Sequence, residues 1–326
     1  MRLTTKITRI LVPTDFSPAA EAACRLAGRL AMRAEAGLIL FHALSGFELV
    51  EEVGRGKGKT QVEVLHNVRE RMQRWFEMVV PEEFRRFLSV EIKVKVGEPL
   101  PGIAWAATRG KADLILMATQ GRTRLAHLLL GSVTEAVLRS VPVPVLALRP
   151  GRGEEPLPAV ERILWATDLS PVSEGAWPYV LALADLFAAE VVLLYVVRPS
   201  ELAGVAGAPV PPPAGWVDHY LEPLDRELER RQHEVEALGL RARRKVLVGA
   251  PPEVIVAEAR TGEADLIVMG THGRSGLTHV LLGSVAAAAI RKAPCPVLAV
   301  KVRQEGELRG REASGAPAQA GVPGEK

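Results

Sequence analysis

Two tandem α/β domains, each a doubly wound, Rossmann-like layer of five parallel strands with helices on both faces, are what the sequence predicts. Three observations carry this reading. First, the second half replays the first: Asp15 and Ser17 recur as Asp168 and Ser170, and the partners of Val96, Asp113, Gly121, Gly131 and Pro144 are Val248, Asp265, Gly273, Gly283 and Pro296. Second, apolar strand-like runs alternate with helical segments in each half, the pattern of a parallel sheet. Third, "RILVPT", "GLILFHA" and "DLILMAT" are continuously apolar, as expected of strands covered by helices on both sides.

Taken in order, the first-half strands are expected at about residues 7–13, 38–42, 90–96, 113–118 and 143–148. The first helix is announced by Ser17 as N-cap, Pro18 at its first position and Gly37 as its stop. Its counterpart in the second half contains Pro178, which predicts a kink or a delayed onset. "VEIKVKVG" alternates strictly, so the third strand is expected at an outer edge. Its twin "RARRKVLVG" then guards an edge with charge rather than gripping nucleic acid. Residues 45–59 and 199–215 are expected to be long loops, and "RPGRGEEPLPAVE" reads as a linker. The resulting domains are 1–150 and 160–302, followed by a tail, 303–326, with almost nothing to bury and therefore expected to be disordered. The last strands carry prolines at their starts, which suits an edge opposite the charged one.

Composition narrows the functional classes. The chain has 326 residues, 48% of them hydrophobic, enough for two ordinary cores. Its two cysteines, Cys24 and Cys295, suggest neither a disulfide framework nor zinc, and point to a reducing cytoplasmic setting. A net charge of +3 gives no broad basic field for nucleic acid or acidic membrane. Apolar runs are interrupted by Asp185 and Glu190, which argues against a membrane span, and no signal peptide is expected.

The chemistry concentrates in two glycine-punctuated segments, "ATQGRTRLAHLLLGS" from Ala118 and "GTHGRSGLTHVLLGS" from Gly270. Each is expected to leave a buried strand, turn, and open a helix. Glycines let backbone N–H groups converge there, and the helix start adds partial positive charge, a setting suited to phosphate oxygens. Arg122, Arg274 and Ser275 are placed to add contacts, and Ser132 and Ser284 bring hydroxyls to the helix starts, each followed by a valine, Val133 and Val285. Asp15 and Asp168 follow the first strand of each half. If the first and fourth strands are neighbours where strand order reverses, aspartate and glycine loop share one crevice.

These residues resemble the universal stress protein family, whose nucleotide signature is Gly, two residues, Gly, nine residues, then Gly-Ser or Gly-Thr. Gly270, Gly273, Gly283 and Ser284 match it completely. Gly121, Gly131 and Ser132 match with Ala118 in place of the first glycine. The resemblance covers about residues 5–302. It implies strand order 3-2-1-4-5, pairing of the two halves with each other through the last strands, with homodimers besides, and ATP binding by members with the intact signature. Members lacking the signature generally do not bind it. The adenosine would lie near Asp168 and Val196, and in the first half near Asp15 and Ala43. Magnesium or manganese would arrive with the phosphates, with Ser284 and the aspartates as the candidate protein ligands.

The resulting reading is a cytosolic, ATP-binding stress-response regulator, complete in the second half and degenerate in the first. A slow ATPase or nucleotide-transfer enzyme and a nucleotide-free scaffold are the alternatives. No nucleophilic triad, evident base for water or spaced set of metal ligands stands out. "VGRGKGKT" at residues 53–60 fails as a phosphate loop because Val53 occupies the first glycine position and no buried strand precedes it. His127 and His279 read as helix-packing residues, and His42 and His272 as candidates to line the crevices.

Overall fold

The computed structural model describes residues 5–55, 60–121, 130–149, 160–206, 216–272 and 282–301. The first domain runs β1 (Arg9–Pro13), α1 (Pro18–Ala34), β2 (Gly37–Leu44), α2 (Gly46–Arg55), α3 (Gln61–Val79), α4 (Glu82–Arg85), β3 (Val90–Val96), α5 (Pro99–Gly110), β4 (Leu114–Ala118), α6 (Ser132–Ser140) and β5 (Val145–Leu148). The second follows with β6 (Arg162–Thr167), α7 (Pro171–Glu174), α8 (Trp177–Phe187), β7 (Glu190–Val197), α9 (Pro199–Ala206), α10 (Trp216–Glu236), β8 (Ala242–Val248), α11 (Pro251–Arg260), β9 (Leu266–Gly270), α12 (Ser284–Lys292) and β10 (Val297–Val300).

Local chemistry accounts for the starts and stops. Ser17 Oγ accepts the Ala20 N–H at α1, and Thr60 with Glu63 forms a reciprocal capping box at α3. Pro178 delays the helix: α7 stops after one turn, and α8 restarts with Pro178 in its own first turn, where a missing N–H costs nothing. Two segments expected as loops are partly helical instead. Ser45 and Glu48 form a capping box, Ser45 Oγ accepting the Glu48 N–H at 3.2 Å and Glu48 Oε2 accepting the Ser45 N–H at 3.0 Å. Leu49 and Val53 then pack against the core, so α2 gains both a start and a buried stripe. Pro199 similarly opens α9, from which Leu202 packs inward. The candidate loop at 56–59, the linker residues 150–159 and the tail from residue 302 lie outside the described residues.

The strands form a single ten-stranded sheet ordered β3-β2-β1-β4-β5-β10-β9-β6-β7-β8. Within each domain every pairing is parallel and the order is 3-2-1-4-5, as the resemblance implied. The last strands join antiparallel, with Leu298 opposite Leu146, so the two halves pair with each other through them. Alternation along each strand feeds two cores. Ile10, Val12, Leu38 and Leu40 lie on one face with Ile163 and Trp165, while Leu11, Ile39 and Phe41 lie on the other with Leu164 and Val192. At about 1.5–3 kcal/mol per fully buried large aliphatic side chain, these layers dominate stability. The seam is reinforced where Arg33 Nε donates to the Leu186 carbonyl at 2.6 Å beneath the Phe187 ring, and where Lys301 Nζ donates to the Arg139 carbonyl at 2.6 Å.

β3 and β8 are the two outer edges. On β8, Arg243 pairs with Glu190 and Glu263, Arg244 with Asp225, and Lys245 with Glu258 and Glu263. The basic stretch is thus tied to acidic neighbours along an edge. Among the described residues no helix is long and apolar enough to cross a membrane.

Candidate functional site

Because β1 sits between β2 and β4, and β6 between β7 and β9, each domain has a topological switch point, and a crevice opens at the carboxyl ends of those strands. In the second domain it is lined by Asp168 after β6, Val196 on β7, Gly270 at the end of β9, and Gly283, Ser284 and Val285 where α12 begins. In the first it is lined by Asp15, Ala43, Ala118, Gly121, Gly131, Ser132 and Val133. The sequence-predicted residues that are described therefore gather in these two places. Gly273, Arg122 and Arg274 lie outside the described residues, as do Ser275, His127 and His279. The first-domain cavity measures ≈ 670 Å³ and the second ≈ 110 Å³.

The loop ends explain one conserved element of the pattern within this chain. Gly131 N–H donates to the Thr119 carbonyl at 2.7 Å, and Gly283 N–H to the Thr271 carbonyl at 2.8 Å. A Cβ on Gly131 would stand 3.0 Å from that carbonyl oxygen, and one on Gly283 only 2.8 Å. Glycine is required by this close approach, not by backbone angle, since φ is −61° and −58°. These glycines are also the N-caps of α6 and α12, and neither helix has a side-chain cap, unlike α1, α3 and α7. Among the described residues no side chain caps these first-turn amides, and they are the donors a phosphate would use.

The first glycine of the signature has a different role. A Cβ on Gly270 would lie 3.1 Å from both Val172 Cγ1 and the Val172 carbonyl, and 3.2 Å from the His272 carbonyl. Glycine here makes room for α7. In the first domain the repeat places Ala19 where Val172 stands, and Ala118 opposite. The pair Val172/Gly270 is thus exchanged for Ala19/Ala118. At the second glycine, a Cβ on Gly121 would fall 2.7 Å from Asp15 Oδ2, which brings aspartate and glycine loop face to face.

The aspartates are held differently. Asp15 Oδ1 accepts the Ser17 N–H at 3.0 Å. Asp168 Oδ1 accepts the Ser170 N–H at 3.1 Å and also the Ser173 hydroxyl at 2.8 Å, while Thr167 Oγ1 donates to Ser173 Oγ at 3.1 Å. Ser173 is 3% exposed and its counterpart is Ala20. Behind it, Glu174 meets Arg231 of α10, and Trp177 Nε1 donates to Glu234 at 2.6 Å. Burial raises the Glu174 pKa, with Arg231 opposing.

The rims differ in charge. Ser45, Phe47, Glu48, Glu51 and Glu98 line the first crevice, with Phe47 74% exposed. Arg198 and Glu201 line the second, Arg198 standing where the first domain has Ser45. Glu48 is engaged by its capping box, whereas Glu201 Oε2 is buried without a hydrogen-bond partner among the described residues. His42 Nδ1 lies 2.8 Å from the Thr14 carbonyl and lines the first crevice, and His272 lines the second. Sequence reasoning missed Ser173, Phe47, Glu48, Arg198 and Glu201. The spacing Ser45-x-x-Glu48 was a legible helix start, but nothing local pointed to Ser173.

Fold and crevices define a tandem of Rossmann-like domains, each carrying a glycine-loop cleft at its switch point. The sequence profile of the universal stress protein family matches residues 6–149 and again residues 159–301, and the chain belongs to that family. It is 38% identical over 144 residues to a universal stress protein of Methanocaldococcus jannaschii, covering 43% of this chain and 82% of that protein. A universal stress protein of Mycolicibacterium smegmatis is 25% identical over 310 residues, covering 90% of this chain and 97% of its own. A crystal structure of a universal stress protein from Archaeoglobus fulgidus shares the fold, with a TM-score of 0.65, 19% identity, and coverage of 91% of this chain and 99% of that one.

Proposed function

We propose that the protein is a cytosolic regulator whose two crevices bind ATP, the second domain supplying the complete signature and the first a compensated version of it. The observation that carries this reading is the meeting, in each domain, of one carboxylate with one helix start whose N-cap is glycine, in a single cleft. The triphosphate would lie against the first-turn amides of α12 or α6, and the ribose against Asp168 or Asp15. A magnesium or manganese ion bound to the phosphates would take its protein ligands from the Ser284 or Ser132 hydroxyl and the aspartates. ATP itself enters through the family resemblance of the glycine signature. Occupancy would bias the crevices toward one arrangement and so alter the surface offered to protein partners. A homodimer would have to use a surface other than β5 and β10, which already pair within the chain.

Calorimetry with ATP tests this on the wild type, on Gly121→Val and on its repeat partner Gly273→Val. Two sites, each lost with its own substitution, support the reading. No heat and no shift in melting would leave a nucleotide-free scaffold. Turnover that survives repurification and vanishes with Asp168→Ala would make the protein a slow ATPase instead.

A further inference from the structure

We propose that Ser173 is a positioning residue that sets the ribose selectivity of the second crevice, a role that rests on Asp168 receiving the sugar. The Ser173 hydroxyl donates to Asp168 Oδ1 at 2.8 Å, the shorter of its two acceptor contacts, the Ser170 carbonyl lying at 3.0 Å, and is itself fixed from behind by the Thr167 hydroxyl at 3.1 Å, whose oxygen accepts the Leu169 N–H at 2.9 Å. Three groups in series thus orient one carboxylate oxygen. Ser173 and Thr167 are 3% and 6% exposed, so water competes little for these bonds. With Oδ1 occupied by Ser173 and by the Ser170 N–H, the carboxylate plane is set, and its remaining acceptor capacity is directed rather than averaged over rotamers. The first domain keeps Thr14, Asp15 and Ser17 but has Ala20 at the Ser173 position, so the relay is interrupted there. Ala20 also lines the wider cavity.

The consequence is that Ser173 acts on sugar hydroxyls and not on phosphates. The test titrates ATP and 2′,3′-dideoxy-ATP against the full chain carrying Gly121→Val, so that the second crevice alone is read, and compares Ser173 with Ser173→Ala and Ser173→Thr. Loss of one charge-assisted bond predicts about fivefold weaker ATP binding in Ser173→Ala. Binding of the dideoxy nucleotide should be nearly unchanged, and Ser173→Thr, which keeps the hydroxyl, should retain the discrimination. Equal weakening of both nucleotides, or no change in either, overturns the proposal. Asp168→Ala separates the two levels. If it still prefers ATP over the dideoxy nucleotide as strongly as the parent, the ribose assignment of the aspartate falls. If it loses that preference while Ser173→Ala keeps it, only the role of Ser173 falls.

Discussion

The two crevices are built from the same elements in the same order, yet they solve one packing problem in opposite ways. In the second domain, bulk sits on the helix as Val172 and the strand end is Gly270. In the first, the helix has Ala19 and the strand end Ala118. The lesson is that a missing glycine is not by itself a missing site. What the signature's first position requires here is room for a neighbouring helix, whereas its last glycine, at the Thr119 or Thr271 carbonyl, is required in both domains.

The largest effects should come where both domains agree. Gly283→Val drives a Cβ into the Thr271 carbonyl at 2.8 Å and should abolish binding in the second crevice while costing about 2–3 kcal/mol. Gly131→Val should be slightly milder, its nearest approach being 3.0 Å. Denaturant melts and ATP titrations on the pair would show this, and equal tolerance of both would break the comparison.

Next comes the exchange itself. Gly270→Ala should cost about 1–2 kcal/mol by crowding Val172 and the Val172 and His272 carbonyls, and adding Val172→Ala should relieve only the part that comes from Val172 Cγ1. Ala118→Gly should cost only about 0.5–1 kcal/mol, the ordinary entropic cost of glycine in a strand. A double-mutant cycle with no coupling between residues 172 and 270 would contradict this account.

A smaller difference is electrostatic. Burial raises the Glu174 pKa above its ordinary 4.5, so the folded state holds its proton more tightly than the unfolded state. Its contribution to stability is therefore complete below about pH 4.5 and is lost as pH rises through the raised folded value. Between pH 7 and 4.5 the stability of Glu174→Gln should accordingly fall behind that of the wild type progressively, whatever the constant offset. Parallel curves would remove Glu174 from the account.

The smallest effect sharpens the comparison further. Each domain has one thiol, Cys24 and Cys295, and burial pushes both up to about 12. Alkylation at pH 8 should therefore be slow at both, waiting on local opening at the buried Cys24 and on the small thiolate fraction at the partly exposed Cys295, and each cysteine would report its own domain. ATP should slow both reactions; slowing at Cys295 alone would show that only the second domain is filled.

Strand positions were legible because buried parallel strands are uniformly apolar and the charged third strand alternates. Strand order and the pairing of the two halves through their last strands came with the family resemblance, whereas the antiparallel sense of the β5–β10 joining is seen only in the structure. α2 and α9 were hidden by reading glycine and proline as loop formers, although Ser45-x-x-Glu48 marks a helix start. The crevice residues on each chain segment could be named, but two relations could not. Val172 meets Gly270 across about a hundred residues, and Ser173 reaches back to Asp168 from the first turn of α7. Neither contact leaves a period or a motif in the sequence.

The most direct test of the central claim is the number of ATP molecules bound per chain, by calorimetry at saturation, in the wild type and in Ala118→Gly. If the first crevice is complete by exchange rather than damaged, both proteins should bind two. A wild type that binds one, rising to two when Ala118 becomes glycine, would show that the residue had been blocking the nucleotide after all.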